Sequence, residues 1–493
     1  MKLLGFRLQV VVFSFLFFLF PVTCNLSTTY AITDPLSVPN NKFGIHIISG
    51  SDAEIASASA LVNSENGDWG YLTLVIQDSD QDVIRWQKFF DKLREKHLIP
   101  IVRLATHPIG DTWATPDSDA ADKWANFLGS LTWPTKNRYI VVYNEPNHAK
   151  EWGGTVDAKA YARVLNQTID ALKNKNADFF MLNAGLDAST PQEPPNYVEE
   201  LTFLTQMNEE VPGIFEKLDG WDSHSYPNPG FIGSPDGVGR GTVKTWAWEE
   251  TALKDLGVQK SLPIFITETG WKHAEGLNYN PNFPTGVQTG DYYRQAFQGA
   301  WNDPKIVAVT PFLLNYPNPP FDHFQLQNSD SFKAIAELTK AVGDPVQDQA
   351  GLFIGSKINP TLIVGQSYHI RLKVKNIGQS IWGEKEPIRL IPTKGRELGI
   401  DMVNIPADVK VLPGQEYTFE FDLKAPKSGF YTVALNMYQG TDVFQNTSVQ
   451  FSVEAGSPIM QFAKSHLPEI FHPLVQKLDQ NLKLTGFVLF NHS

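Results

Sequence analysis

The chain has 493 residues, 42% of them hydrophobic and 12% aromatic, enough apolar material for more than one packed domain and too much for a disordered or collagen-like polymer. Its 41 basic and 53 acidic side chains leave a formal net charge of −12, which argues against nucleic acid as a partner. The lone cysteine, Cys24, excludes an internal disulfide, and no Cys/His cluster has the spacing of a zinc site, so no metal or cofactor is expected.

Residues 1–31 read as a secretory signal. Lys2 and Arg7 precede an apolar run from Val10 to Phe20, broken only by Ser14 and followed by Pro21 and a polar stretch. The run is shorter than the roughly 20 residues of a spanning helix. The expected location is therefore outside the cytoplasm, secreted or at the cell surface; an uncleaved leader is the alternative, as a membrane anchor.

From residue 40 to about 345, short β-rich runs alternate with helical patterns, the signature of repeated βα units. Eight strands are predicted: Phe43 to Ile48, Tyr71 to Ile76, Ile99 to Leu104, Tyr139 to Tyr143, Phe179 to Asn183, Gly220 to Ser225, Pro263 to Thr267 and Ile306 to Leu314. Several are apolar on both faces, as buried parallel strands require. Between them Val83, Trp86, Phe89, Phe90 and Leu93 form a helical stripe, and Tyr292, Tyr293, Ala296, Phe297, Ala300 and Trp301 repeat it as a seventh helix. Eight such units in about 300 residues predict an α/β fold, a TIM (β/α)8 barrel. An open doubly wound sheet would normally carry a glycine-rich phosphate turn, which is missing.

After Gly343-Asp344-Pro345 the period becomes two. Tyr368, Ile370, Leu372 and Val374 alternate with charged residues, as do Tyr417, Phe419, Phe421 and Leu423. Residues 348–455 are therefore expected to form an all-β sandwich. Asn376-Ile377-Gly378 with Trp382 following loosely resembles the immunoglobulin-like modules appended to secreted bacterial enzymes. Residues 457–493 form a tail in which Pro468 and Pro473 interrupt a helical pattern and Gly486 to Phe490 is apolar.

Two glutamates close apolar barrel strands at the rim where barrel enzymes keep their active sites. Glu145 follows Tyr139-Ile140-Val141-Val142-Tyr143-Asn144, and Glu268 follows Pro263-Ile264-Phe265-Ile266-Thr267. By count they end strands four and seven. Two carboxylates facing one another are what glycosidic-bond cleavage needs. Each motif alone is a common turn; their pairing at these two strands is the informative feature. Asn144 suits a donor to a sugar 2-hydroxyl. Asp222, His224 and Tyr226 alternate on strand six and so share one face, although a strand histidine or tyrosine is also common as hydrogen-bonded core. Trp271 is the first candidate for a sugar platform, with Trp113, Trp152 and Tyr316 behind it. His46 and His107 end strands one and three, and Arg103 within strand three serves either an interior salt bridge or the site.

Asn144-Glu145-Pro146-Asn147 and Glu268-Thr269-Gly270-Trp271 closely resemble the strand-four and strand-seven motifs of glycoside hydrolase clan A, nearest in appearance to families 39 and 5, over residues 40 to 345. The resemblance implies that Glu145 is the general acid/base and Glu268 the nucleophile. It also implies that the tyrosine of the His224-x-Tyr226 pair holds the nucleophile ionised. Many clan members place a tryptophan on strand eight, where this chain has Phe312-Leu313-Leu314-Asn315-Tyr316. The expected activity is retaining, metal-independent hydrolysis of a β-linked oligo- or polysaccharide. A glycan-binding surface protein on a barrel without turnover is the rival from another class, and its mark would be a missing carboxylate. A transglycosylase would keep the same chemistry and differ in acceptor.

Overall fold

The computed structural model describes residues 32–37, 41–340, 343–356, 358, 360–444 and 447–484. The leader with Cys24 and the apolar end Gly486 to Phe490 lie outside the described residues. Eight parallel strands alternate with eight helices. The strands are β1 (Gly44–His46), β2 (Gly70–Gln77), β3 (Leu98–Ala105), β4 (Arg138–Val141), β5 (Phe179–Leu182), β6 (Trp221–His224), β7 (Ile264–Glu268) and β8 (Ile306–Val309). The helices following them are α1 (Asp52–Val62), α2 (Val83–Glu95), α3 (Ala120–Ser130), α4 (Ala158–Lys175), α5 (Glu200–Glu210), α6 (Thr245–Asp255), α7 (Gly286–Gln298) and α8 (Asp330–Ala336). Strands β1 to β5 pair in chain order, as do β6 to β8. Parallel bridges from Phe43 to Val309 and from Asp187 to His224 close the two arcs, so the expected TIM barrel is the fold.

Local chemistry accounts for the elements. Asp82 caps α2 by accepting from the Ile84 and Arg85 N–H groups, and Thr285 with Gln288 forms a capping box on α7. The α2 stripe buries Trp86, Phe90 and Leu93 against the barrel. Inside the barrel the Tyr139 ring lies 5.0 Å from Phe180, 5.1 Å from Phe265 and 6.1 Å from Tyr71. These rings fill the lower interior, leaving the carboxyl ends of the strands as the open face.

Strands four and eight are shorter than expected, ending at Val141 and Val309. Beyond Val141 the backbone turns out of the sheet, with Tyr143 at φ 71° and Glu145 at φ 31°. Such left-handed conformations cost side-chain-bearing residues about 1–3 kcal/mol each and persist where surrounding contacts over-determine them. Here the Glu145 N–H donates to Gly185 O at 3.1 Å.

The later strands are β9 (Gly351–Ser356), β10 (Thr361–Ile363), β11 (Ser367–Asn376), β12 (Ile388–Lys394), β13 (Val403–Asn404), β14 (Glu416–Lys424), β15 (Gly429–Gln439), β16 (Asp442–Val443) and β17 (Val449–Gly456). One sheet runs β9-β11-β14; the other runs β10-β17-β15-β12-β13, with β16 on β15. The period-two pattern has its physical counterpart in β11, where Ile370, Leu372 and Val374 are buried and His369, Arg371 and Lys373 are exposed. Inner faces of both sheets merge in one apolar cluster with Trp382, which makes the region a β-sandwich. Helices α9 (Pro458–His466) and α10 (His472–Leu484) follow. Among the described residues no helix is long and apolar enough to cross a membrane.

Candidate active site

Glu268 is the last residue of β7 and is 8% exposed. Glu145 stands past the end of β4, carried there by the left-handed turn. Oxygens of the two carboxyls lie within 4.8 Å of one another, and a ring nitrogen of His224 lies within that distance of both. They open into a cavity of about 1350 Å³, whose walls also include Arg103, Asn144, Tyr226 and Phe312.

Residues of β6 and just past its end divide between the two glutamates. His224 Nδ1 is 2.7 Å from Glu145 Oε1 and 3.9 Å from Glu268 Oε2. The Tyr226 hydroxyl donates to Glu268 Oε2 at 3.1 Å. Asp222 lies below, accepting from the Gly185 N–H at 3.0 Å and the Thr267 hydroxyl at 2.7 Å. Arg103 projects from β3 into the centre, donating to Asn144 Oδ1 at 2.5 Å and to Glu268 Oε1. His46, fully buried at the end of β1, faces Glu268 Oε1 at 3.6 Å.

Electrostatics separate these groups. Burial pushes the Glu268 carboxyl up, but nearby His224 and Arg103, together with the Tyr226 hydroxyl, outweigh it and hold the group at about 2. Burial lowers the His224 imidazole, yet the charges of Glu268 and Glu145 and its bond to Glu145 raise it to about 9. His46 is pushed down to about 3 by burial and by the Arg103 charge. Glu151, a third carboxyl on the cavity wall, is raised to about 7 by burial and by the neighbouring Glu145. At neutral pH the site thus holds an ionised Glu268 and an imidazolium whose Nδ1 points at Glu145. Glu145, His224 and Glu268 are spaced closely enough to offer ligands to a cation.

Of the residues singled out from sequence, Glu145, Glu268, Asn144, His224 and Tyr226 come together here. Trp271 does not join them. It is 1% exposed, its Nε1 donates to Gly233 O at 2.8 Å, and its rings pack on Tyr293 at 5.0 Å and Trp301 at 5.8 Å. Its amphipathic side chain is spent on holding the loop to α7, so it is no sugar platform. Trp152 is likewise buried, against Tyr143 and Tyr161, and His107 pairs with Asp78 at the surface. Trp113 lines the cavity. So do Phe312, Phe321 and Phe324, whose rings meet edge to face, Phe312 with Phe321 at 5.1 Å and with Phe324 at 5.8 Å. Phe312 stands at the strand-eight departure and presents its ring beside His46 at 5.3 Å. Arg103, Glu151 and Lys272 are cavity residues that the sequence reading left unassigned. Only Arg103 carried a signal, a cation inside an apolar strand.

No protein-family model matches the chain, and no curated protein matches its sequence. Among solved structures it is similar to a family 39 glycoside hydrolase from the gut symbiont Bacteroides cellulosilyticus WH2, at 14% identity over 80% of each chain with a TM-score of 0.43. It is also similar to a glucosidase from Croceicoccus marinus, at 10% identity over 85% of this chain and 94% of that one with a TM-score of 0.43. A β-mannanase from Thermomonospora fusca shows 12% identity over 59% of this chain and 82% of that one, with a TM-score of 0.37. The resemblance to glycoside hydrolase clan A is carried by the two glutamate motifs, by the barrel strands they end and by the cavity in which they meet.

Proposed function

We propose that the chain is a secreted retaining glycoside hydrolase acting on a β-linked glycan. The observation that carries this reading is the approach of Glu145 and Glu268 to within 4.8 Å, oxygen to oxygen, at the mouth of one cavity. Retaining enzymes hold their two carboxyl groups about 5–5.5 Å apart, whereas inverting enzymes leave about 6.5–9.5 Å for a water.

The steps follow from the charges. Glu268, ionised and aligned by Tyr226 and Arg103, attacks the anomeric carbon. The bond to the leaving oxygen breaks as that oxygen takes a proton from Glu145, leaving a glycosyl ester on Glu268. The proton Glu145 delivers is stored beside it, on His224. In the second half Glu145 removes a proton from water, the water oxygen bonds to the anomeric carbon, and the ester bond breaks to return Glu268 as carboxylate. Asn144 is fixed through its Oδ1 by Arg103 and borders Glu151, and its amide is the donor to the sugar 2-hydroxyl.

The test is hydrolysis of an aryl glycoside panel. Glu268→Gln is expected to abolish turnover, and Glu145→Ala to slow substrates with poor leaving groups far more than activated ones. Product anomers followed by NMR are expected to keep the substrate configuration. Equal loss on both leaving-group classes, or inverted products, would overturn the assignment.

A further inference from the structure

The cavity is lined by more cations than the catalytic steps use. Arg103 is bound to Glu268 and Asn144, Arg85 to Asp80, and His148 Nε2 lies 2.9 Å from Asp187 Oδ2. Lys272 differs from these three. Among the described residues its ammonium meets no carboxylate within ion-pair distance, although it is half-buried and on the cavity wall. Lys88 is unpaired too, but it is exposed, where water solvates its charge.

Aromatic rings hold Lys272 in place. Its Nζ lies 4.9 Å from the Phe231 ring and 5.6 Å from each of the Phe283 and Phe324 rings, while its backbone N–H is anchored to Phe231 O at 3.0 Å. The cage also borders the nucleophile. Phe231 and Phe324 contact the Tyr226 ring at 5.0 and 6.2 Å, and Tyr226 is the donor to Glu268. Ring faces attract an ammonium without neutralising it. Burial therefore costs Lys272 hydration that no protein anion repays, and the burial lowers its pKa. A neutral sugar would need only the rings.

We propose that Lys272 is an anion subsite of the cleft, and that the glycan carries a carboxylate or sulfate group on the sugar bound at or next to Glu268. The substrate class named here rests on the glycosidase reading above. The chain's net charge of −12 repels polyanions in general, so an acidic glycan needs one fixed, unpaired cation at the site, and Lys272 is placed to supply it.

The experiment uses the full chain with Glu268→Gln, which permits binding to be read without turnover. By titration calorimetry it is offered a β-linked tetrasaccharide containing glucuronate, the same tetrasaccharide with its carboxyls reduced to alcohols, and a 6-O-sulfated form of the reduced sugar. One anionic form is expected to bind at least tenfold tighter than the reduced one. That preference should disappear with Lys272→Met added, survive with Lys272→Arg, and shrink at high salt. Which anionic probe wins separates carboxylate from sulfate. Equal affinity for charged and uncharged sugars, a preference that persists in Lys272→Met, or no binding of any probe overturns the proposal. Turnover by the unsubstituted protein distinguishes the two readings. Cleavage of neutral aryl glycosides without a Lys272-dependent preference sinks the anion subsite alone. A Lys272-dependent preference with no glycoside cleaved sinks the hydrolase and leaves the subsite standing.

Discussion

His224 Nδ1 lies 2.7 Å from Glu145 Oε1, although the two residues are 79 positions apart in the chain. Two residues further along, the Tyr226 hydroxyl reaches Glu268 instead. The end of β6 and the residues just past it therefore serve both carboxyls: the imidazole holds a proton against Glu145, and the hydroxyl donates to a carboxylate that stays ionised. The site's proton thus sits on the imidazole, one hydrogen bond from Glu145, while Glu268 stays ionised.

Replacing His224 by Asn removes the charge and keeps a polar side chain of similar reach. A hydrogen bond to a charged group is worth about 1.5–3 kcal/mol, so kcat/KM for poor leaving groups is expected to fall roughly 10- to 150-fold. In the unsubstituted protein the alkaline limb of the pH–rate profile should fall near pH 9, where His224 loses its proton. That limb should vanish in His224→Asn. An unchanged alkaline limb in the variant would assign it to another group.

Tyr226→Phe deletes the hydroxyl that donates to Glu268 and leaves the ring packed on Phe231. Without that donor the carboxylate is less favoured, so its pKa should rise from about 2 and the acidic limb of kcat/KM should move to higher pH. Formation of the glycosyl ester is expected to slow by roughly tenfold or more. Pre-steady-state release of an activated phenol measures that step directly.

Most barrel strands were legible because parallel strands are buried on both faces and so read as continuous apolar runs; β6, Trp221-Asp222-Ser223-His224, is buried but polar. The two glutamates were legible because each closes such a run. Less visible was where a chain leaves its sheet. Nothing in Val142-Tyr143-Asn144 announces positive φ at Tyr143 and Glu145, which follows from contacts with a distant loop at Gly185. Trp271 was misread because a tryptophan beside a strand-ending glutamate looks alike whether its ring faces a cleft or a helix, and only the bond to Gly233 O decides. Arg103 was ambiguous for the same reason, since its partners come from β7 and the end of β4.

The buried pair Glu200 and Glu249, on α5 and α6 and both fully inaccessible, should mark the pH dependence of stability. Burial raises both carboxyls, and the Glu249 charge raises Glu200 further. A raised folded-state pKa means that the native chain keeps a proton the unfolded chain has released. The contribution is therefore complete below the ordinary carboxyl range and is lost as pH rises through the folded value. Glu200→Gln removes one of the two competing carboxyls. In calorimetric scans its Tm relative to the unsubstituted protein should be higher at pH 8 than at pH 5, and parallel curves would show that the pair carries no proton linkage.

Gly185 connects this network at a single point. Its N–H donates to Asp222 at 3.0 Å, its carbonyl accepts from Glu145, and a Cβ there would fall 2.1 Å from His224 Cδ2 and 2.5 Å from Nε2. No side chain fits unless the imidazole moves. Gly185→Ala is therefore expected to act through His224, lowering kcat/KM for poor leaving groups by an amount similar to His224→Asn while the barrel remains folded by circular dichroism. If the two changes share one cause, the double variant Gly185→Ala/His224→Asn should be little worse than either single one, because residues in contact do not contribute additively. Multiplying losses in the double variant would mean that the methyl group damages the site by another route, such as the Glu145 backbone, and that the alignment of His224 is not what glycine protects.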